Sequence, residues 1–465
     1  MLTVLTTLCA AAAAGEAAAV PVRGPGAVPV RVPEADTPRP YAFSEDAGTV
    51  AGADGTTEAV RLEAGSEYRS AIKKDGKLYY RLDLDGTSNA YVSATAVPRA
   101  GTEVTSADGI KVSVQNADGS TCSSEAAHIG PTQSPHPVAA WASREIGHNT
   151  YACQEAGTYY LVVERSSTPS SPSGTWDLEL DYVSEPPLRT GGSTTAPETW
   201  DSASPEVLQG DATSRAGGAG FGEAAALGQG VWKAGIEPGQ TLFYKVPVDW
   251  GQQLYTTAEL GGSGSGNGYV GTALAMALYN PVRGHVDDVG SGYDGSQRAA
   301  SLPALPPVDY GNRFSINGRT SGMRFAGAYY LVVHLSERVA EKFGEGPFGL
   351  TLRVRVSGDA EDGPAYAGGT EPRGAFEVTA EERAEAEQGA TGDTARAPAG
   401  GAAGSAGDGG GGTGGSDEAT GQGDPAMKVV AVAGIGSGTV LVLTLWVWRA
   451  VARRRVRSVR TTAGH

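Results

Sequence analysis

The stretch AGTYYLVVERSS, Ala156–Ser167, returns as AGAYYLVVHLSE, Ala326–Glu337. Each copy is followed by an alternating segment, GTWDLELDY (Gly174–Tyr182) and GPFGLTLRVRV (Gly346–Val356). Repetition at so long a spacing means that the repeated unit is a whole domain, not a solenoid turn. Within the first copy Tyr159, Leu161 and Val163 share one face of a strand, while Tyr160 and Val162 share the other. Both faces are apolar, which predicts a central strand. The segments LELDY and LRVRV have one polar face, which predicts an edge or a solvated side.

Working outward, LYYRLDLD (Leu78–Asp85) matches LFYKVPVD (Leu242–Asp249), and IKVSVQNAD (Ile110–Asp118) matches ALAMALYNP (Ala273–Pro281). Upstream, Glu58, Leu62, Gly65 and Tyr68 match Glu223, Leu227, Gly230 and Trp232. The pieces keep one order in both copies. Val, Tyr, Ile and Thr at period two, with Gly and Asp turns between, predict strands, and no helical crossover separates them. The predicted fold is all-β: two tandem antiparallel β-sandwich domains, jelly-roll-like, at 41–183 and 220–358, joined by a Pro/Gly/Ser linker at 184–219. The segments 121–149 and 286–323 show no strand pattern and read as long loops.

Strands of the form G-x-Y-x-L-x-V, a Gly turn and a second alternating strand resemble the pre-peptidase C-terminal (PPC-like) β-sandwich. The matching residues are Gly157–Val163 with Gly174–Leu180, and Gly327–Val333 with Gly346–Val354. PGQTLFYKVPVDWGQQLYTTAEL, Pro238–Leu260, is similar to the ectodomain of actinobacterial membrane-anchored proteins that also carry a von Willebrand A domain. This chain lacks that domain's D-x-S-x-S metal motif, so no ligand set carries over. The resemblance implies binding or support, not a catalytic set.

Composition sets the compartment. The chain has 36 Lys and Arg against 52 Asp and Glu, a net charge of −16. Six arginines follow Trp448, so removing them from the net −16 leaves −22 for all that precedes. Such a surface repels nucleic acid. Residues 1–19 read as a signal peptide ending in Ala17-Ala18-Ala19, without the usual basic start, and 20–40 as an extended leader. Residues 359–427, rich in Gly, Ala and acids, read as a disordered stalk. Residues 428–448 read as a transmembrane helix, the uncharged run starting at Val429. The arginines of 449–465 place the C-terminus in the cytoplasm and the rest outside. Gly434 and Gly438 have the spacing that lets two such helices dimerise. Of three cysteines, Cys9 leaves with the signal, and an exported pair, Cys122 and Cys153, is expected to bridge.

Candidate chemistry is sparse. Six histidines form no zinc spacing, and His334, opposite Glu164 in the repeat, reads as a surface residue. The G-x-G-x-x-G run Gly266–Gly271 precedes a strand, where a nucleotide site needs a helix. Asp287 and Asp288, placed in a long loop, are the candidate calcium ligands. Trp141, Trp200 and Trp250 are candidate ligand-contact aromatics, while Trp176 and Trp232 align with Phe348 and Tyr68 and read as core. No catalytic residue and no organic cofactor is expected. The sequence therefore predicts a non-enzymatic, membrane-anchored cell-surface protein that binds or presents a protein or cell-wall glycan. The alternatives are an accessory subunit of a secreted or membrane complex, and an extracytoplasmic hydrolase. A hydrolase is expected to carry an inserted polar loop in one copy alone, whereas 121–149 and 286–323 give each copy one.

Overall fold

The computed structural model describes residues 40–147, 153–192, 194–203, 205–206 and 208–388, all within one compact unit. The signal peptide, nearly all of the leader, the stalk beyond 388, the transmembrane helix with Gly434 and Gly438, and the arginine tail lie outside the described residues. Among the described residues no helix is long and apolar enough to cross a membrane.

In chain order the first ten strands are β1 (Gly48–Thr49), β2 (Val60–Arg61), β3 (Ser66–Ile72), β4 (Lys77–Leu84), β5 (Asn89–Val97), β6 (Gly109–Asn116), β7 (Thr121–His128), β8 (Val138–Arg144), β9 (Gly157–Ser166) and β10 (Trp176–Glu185). They form two five-stranded sheets, β1-β3-β10-β5-β8 and β2-β4-β9-β6-β7. The second ten are β11 (Thr213–Ser214), β12 (Ala225–Ala226), β13 (Gly230–Ile236), β14 (Thr241–Val248), β15 (Gln253–Leu260), β16 (Val270–Tyr279), β17 (His285–Tyr293), β18 (Arg298–Ser301), β19 (Gly327–Leu335) and β20 (Phe348–Ser357). Their sheets, β11-β13-β20-β15-β18 and β12-β14-β19-β16-β17, repeat the first two strand for strand. Pairing is antiparallel except for the two-residue edge strands β1, β2, β11 and β12, which join in parallel.

Register confirms the internal repeat. Leu82 faces Tyr159 as Val246 faces Tyr329, and Gly48 faces Tyr68 as Thr213 faces Trp232. Tyr159 and Tyr329 are buried with their neighbours Leu161, Val163, Leu331 and Val333, because a central strand has core on one side and a second layer on the other. Each tyrosine hydroxyl donates to a carbonyl four residues upstream, of Glu155 at 2.7 Å and of Phe325 at 2.8 Å. One match is off by a residue. Val114 faces Leu161 and Leu278 faces Leu331, so Val114 corresponds to Leu278 and not to Ala277. A one-residue slip moves every side chain of a strand to the other face.

The segments read as loops contain β7 and β8 in the first sandwich and β17 and β18 in the second. Ala and Ser dominate β7 and β8, and β8 is buried on most of its length, so neither has the alternation that reveals a strand. The linker is also shorter than expected. β10 reaches Glu185, Leu188 bridges to Tyr366, and β11 already belongs to the second sandwich. Nor does the chain leave the sandwiches at 359. Phe376 is 1% exposed and stacks on Phe325 at 4.4 Å, and helix α1 (Ala380–Gln388) rests on β14 through Lys245–Glu385 at 3.0 Å.

The disulfide Cys122–Cys153 is present, with Cα atoms 5.7 Å apart. It ties edge strand β7 to the residue at which the chain turns into β9.

Candidate functional site: the seam between the sandwiches

The polar face of β10 is the key to the site. Trp176, Leu178, Leu180 and Tyr182 point into the first core, so Glu179, Asp181, Val183 and Glu185 point away from it. Little of these four meets water, Asp181 alone being partly exposed. Glu179 and Glu185 are fully buried, and Val183 belongs to the core of the second sandwich. The expectation of a solvated side is therefore wrong: the acids of this central strand are covered by arginines from the second sandwich.

Arg283 sits at the tip of the β16–β17 hairpin. Asn280 shapes that tip, its side-chain oxygen accepting from the backbone N–H of Val282 at 3.2 Å and of Gly284 at 2.9 Å. Gly284 is needed there, since a Cβ would lie 2.8 Å from the Trp141 ring. Arg283 donates to Glu179 at 3.0 Å and to Glu67, and Tyr41 donates to Glu179 as well. Burial opposes the Arg283 charge, but Asp181, Glu179 and Glu67 outweigh it and raise its pKa. Burial lifts the Asp181 carboxyl to about 6 despite Arg283. Arg313 grips Glu185 bidentately, both contacts at 2.9 Å, and Glu185 also accepts from Asn89, Tyr91 and Tyr366. Burial alone would raise the Glu185 pKa; Arg313 and these donors hold it low. Arg324 completes the set on Glu145 at 2.9 Å. Paired and hydrogen-bonded, such charges tolerate burial.

Beside these ion pairs the seam opens into a cleft of about 500 Å³, within the size range of small-ligand sites. Its floor is the outer face of the second sandwich, with Ala275, Ala277 and Val332; its wall is the first sandwich from Glu125 to Ala139. All four histidines among the described residues, His128, His136, His285 and His334, line it. His334 is 2% exposed, not on the surface, because the first sandwich covers its strand. It stacks on His136 at 4.6 Å and contacts Ser134 Oγ at 2.9 Å and Thr241 Oγ1 at 3.0 Å. Burial lowers the pKa of both rings, and a charge on His136 would lower that of His334 further. At the mouth His285 meets Asp288 at 3.2 Å, and Glu125 accepts from the backbone N–H of Trp141 at 3.2 Å. Burial pushes the Glu125 carboxyl up to about 7.

These shifts predict a pH dependence. A histidine with a depressed folded pKa costs nothing above the unfolded value near 6.5, and destabilises as pH falls below it by up to about 1.4 kcal/mol per unit. Glu125, with a raised pKa, works oppositely: its protonated form favours the fold as pH falls from 7 towards 4.5. Asp181, raised to about 6, and His285, raised by Asp288, act in the same direction as Glu125, so the histidine contribution is read by difference. Between pH 6.5 and 5.5 the unfolding midpoint of the wild type should fall more, or rise less, than that of His334→Gln. An equal pH response in the two would contradict it.

Asp287 and Asp288 prove to be neighbours on β17, not loop residues. Adjacent strand positions face opposite ways, so Asp287 pairs with Arg319 at 2.9 Å while Asp288 turns to His285. Among the described residues no cluster of three or more His, Cys, Asp or Glu side chains converges as a metal site would require. Trp141 lies in the seam, 5.9 Å from the Tyr91 ring and 5.6 Å below Arg324. Trp250 is buried and Trp200 half-buried. Trp176 and Trp232 are core, each 2% exposed. The seam arginines and the β10 acids were missed. The usable signal was a contrast between the copies, since Asp181 corresponds to Arg353 through equal pairing with β5 and β15.

No family model and no curated protein matches the chain. Among solved structures it is similar to the CUB1-EGF-CUB2 domain of human MASP-1/3, at 8% identity, with 62% of this chain and 99% of that one covered and a TM-score of 0.16. It is also similar to the N-terminal CBM22 tandem domain of a Paenibacillus barcinonensis protein, at 9% identity, 69% and 100% coverage and a TM-score of 0.17. Likenesses of this grade do not bear on function.

Proposed function

We propose that the two sandwiches form one preassembled binding unit, non-enzymatic and exposed at the cell surface, which captures a segment of a partner protein in the seam cleft. The observation that supports this is the composite origin of the cleft: its floor comes from one sandwich and its wall from the other, so the site exists only in the locked pair. Small apolar side chains seat on Ala275, Ala277 and Val332, and a basic side chain meets Asp288, whose side chain is 70% exposed. Random peptides displayed on phage and selected on the full chain should enrich sequences that bind wild type and lose binding to Ala277→Arg, which fills the floor. Failure to enrich, or equal binding to the variant, overturns the reading.

In the same proposal the unit is carried outside by 1–19 and held by a single span at 428–448. Protease added to intact cells should then remove residues 41–388 and leave a small arginine-rich membrane fragment. Protection of the sandwiches would reverse the orientation.

A further inference from the structure

Each sheet of a sandwich ends on a strand with one row of unpaired backbone groups, and native proteins usually cover that row. The first sandwich covers one of its rows. β8 ends the sheet β1-β3-β10-β5-β8, and its outward N–H groups at Trp141 and Ser143 donate to the side chains of Glu125 and Ser123 on β7. β7 ends the other sheet and pairs with β6 alone.

Register says which residues of β7 carry the open row. Ile129 N–H donates to the Asp108 carbonyl at 2.8 Å, and the Ala127 carbonyl also turns towards β6, where a Cβ on Gly109 would collide with it. Backbone groups of successive residues in an antiparallel ladder point to opposite sides. Ser123, Glu125 and Ala127 therefore face β6, while Ser124, Ala126 and His128 present N–H and C=O to the free edge. All three are exposed. Among the described residues no hydrogen bond reaches their outward groups. Ala126 and His128 line the seam cleft.

From this geometry we infer that the partner segment enters the cleft as an added strand, hydrogen-bonded along β7 at Ser124, Ala126 and His128. The sheet β2-β4-β9-β6-β7 then gains a sixth member. This mode of capture rests on the cleft being a site for a protein segment, as proposed above, and adds how the segment is held: the main chain supplies affinity and alternate side chains supply selectivity. β7 suits the task. It has eight residues, against four in the edge strand β18, and its sequence TCSSEAAH lacks the Lys and Pro that blunt an edge. The disulfide at Cys122 fixes its far end, so the template is rigid. The occupant is an extended segment with small side chains where it meets Ala275, Ala277 and Val332, and a basic residue at the mouth, where Asp288 is exposed.

Hydrogen exchange of the full chain tests the edge without a ligand. The amides of Ser124, Ala126 and His128 should exchange at least about tenfold faster than those of Ser123, Glu125 and Ala127. Equal protection of all six would mean that the row is already covered, and overturns strand addition. Phage peptides enriched on the wild-type chain supply the probe for binding. Ala126→Pro removes one outward N–H and leaves the β6 ladder intact, so the unfolding temperature should stay within error of wild type while peptide affinity falls at least about tenfold. Should that variant unfold, N-methylated peptides decide on the wild type: methylation of one alternate set of amides should abolish binding and methylation of the other set should spare it. Equal effects of the two sets overturn strand addition. Peptides that are lost on Ala277→Arg yet held by folded Ala126→Pro leave the cleft reading standing and overturn strand addition alone. Failure to enrich any peptide overturns both.

Discussion

Replacing Arg283 with alanine should cost the full chain about 3–5 kcal/mol of stability, measured by urea unfolding at neutral pH. The cost does not come from a lost surface contact. Arg283 and Glu179 have side-chain exposures of 4% and 0%, and Glu67 and Asp181 face the same guanidinium. Removing the cation leaves Glu179 buried with only the neutral donors Tyr41 and Ser44, and takes the countercharge from Asp181 and Glu67. The signature is partial rescue: Glu179→Gln added to Arg283→Ala should recover part of the loss, because the second change removes one stranded charge. It should also recover on mild acidification, since Asp181 already stands at about 6 with the arginine in place and rises further without it. A loss below about 1 kcal/mol, typical of exposed pairs, would mean that the seam is open in solution.

Cys122→Ser with Cys153→Ser should lower stability by roughly 3–4 kcal/mol in the same assay. The bridge spans 31 residues, and closing a loop of that length restricts the unfolded chain by about this amount. Reduction of the wild type should match the double variant. The bridge lies entirely in the first sandwich, yet the seam ties that sandwich to the second, so signals from both should shift together. An unchanged midpoint on reduction would contradict the bridge's role; a shift confined to the first sandwich would contradict the coupling.

The repeat was legible because its signal is local. Tyr159, Leu161 and Val163 alternate, their counterparts do so too, and register in the structure follows the match. The disulfide was legible for the same kind of reason, as two exported cysteines beside strands. The seam was not. A charged residue at every second position of a strand means water for an isolated sheet, and nothing near Glu179 in the chain names Arg283, 104 residues away. His334 was misjudged likewise: its exposure is set by Ser134 and His136 of the other sandwich. β8, VAAWASR, escaped because both its faces are covered, which removes the period-two pattern. Phe376 lies in a polar stretch, and only the aromatic cluster with Tyr91 and Phe325 reveals why that stretch stays on the core.

The central claim is that the two sandwiches are one cooperative unit. Differential scanning calorimetry of the full chain tests it most directly. The buried ion pairs predict a single endotherm from the described region, with calorimetric and van 't Hoff enthalpies in a ratio of about 1. Two separable endotherms, of which only one moves when the disulfide is reduced, would show two independent domains on a linker and contradict the account.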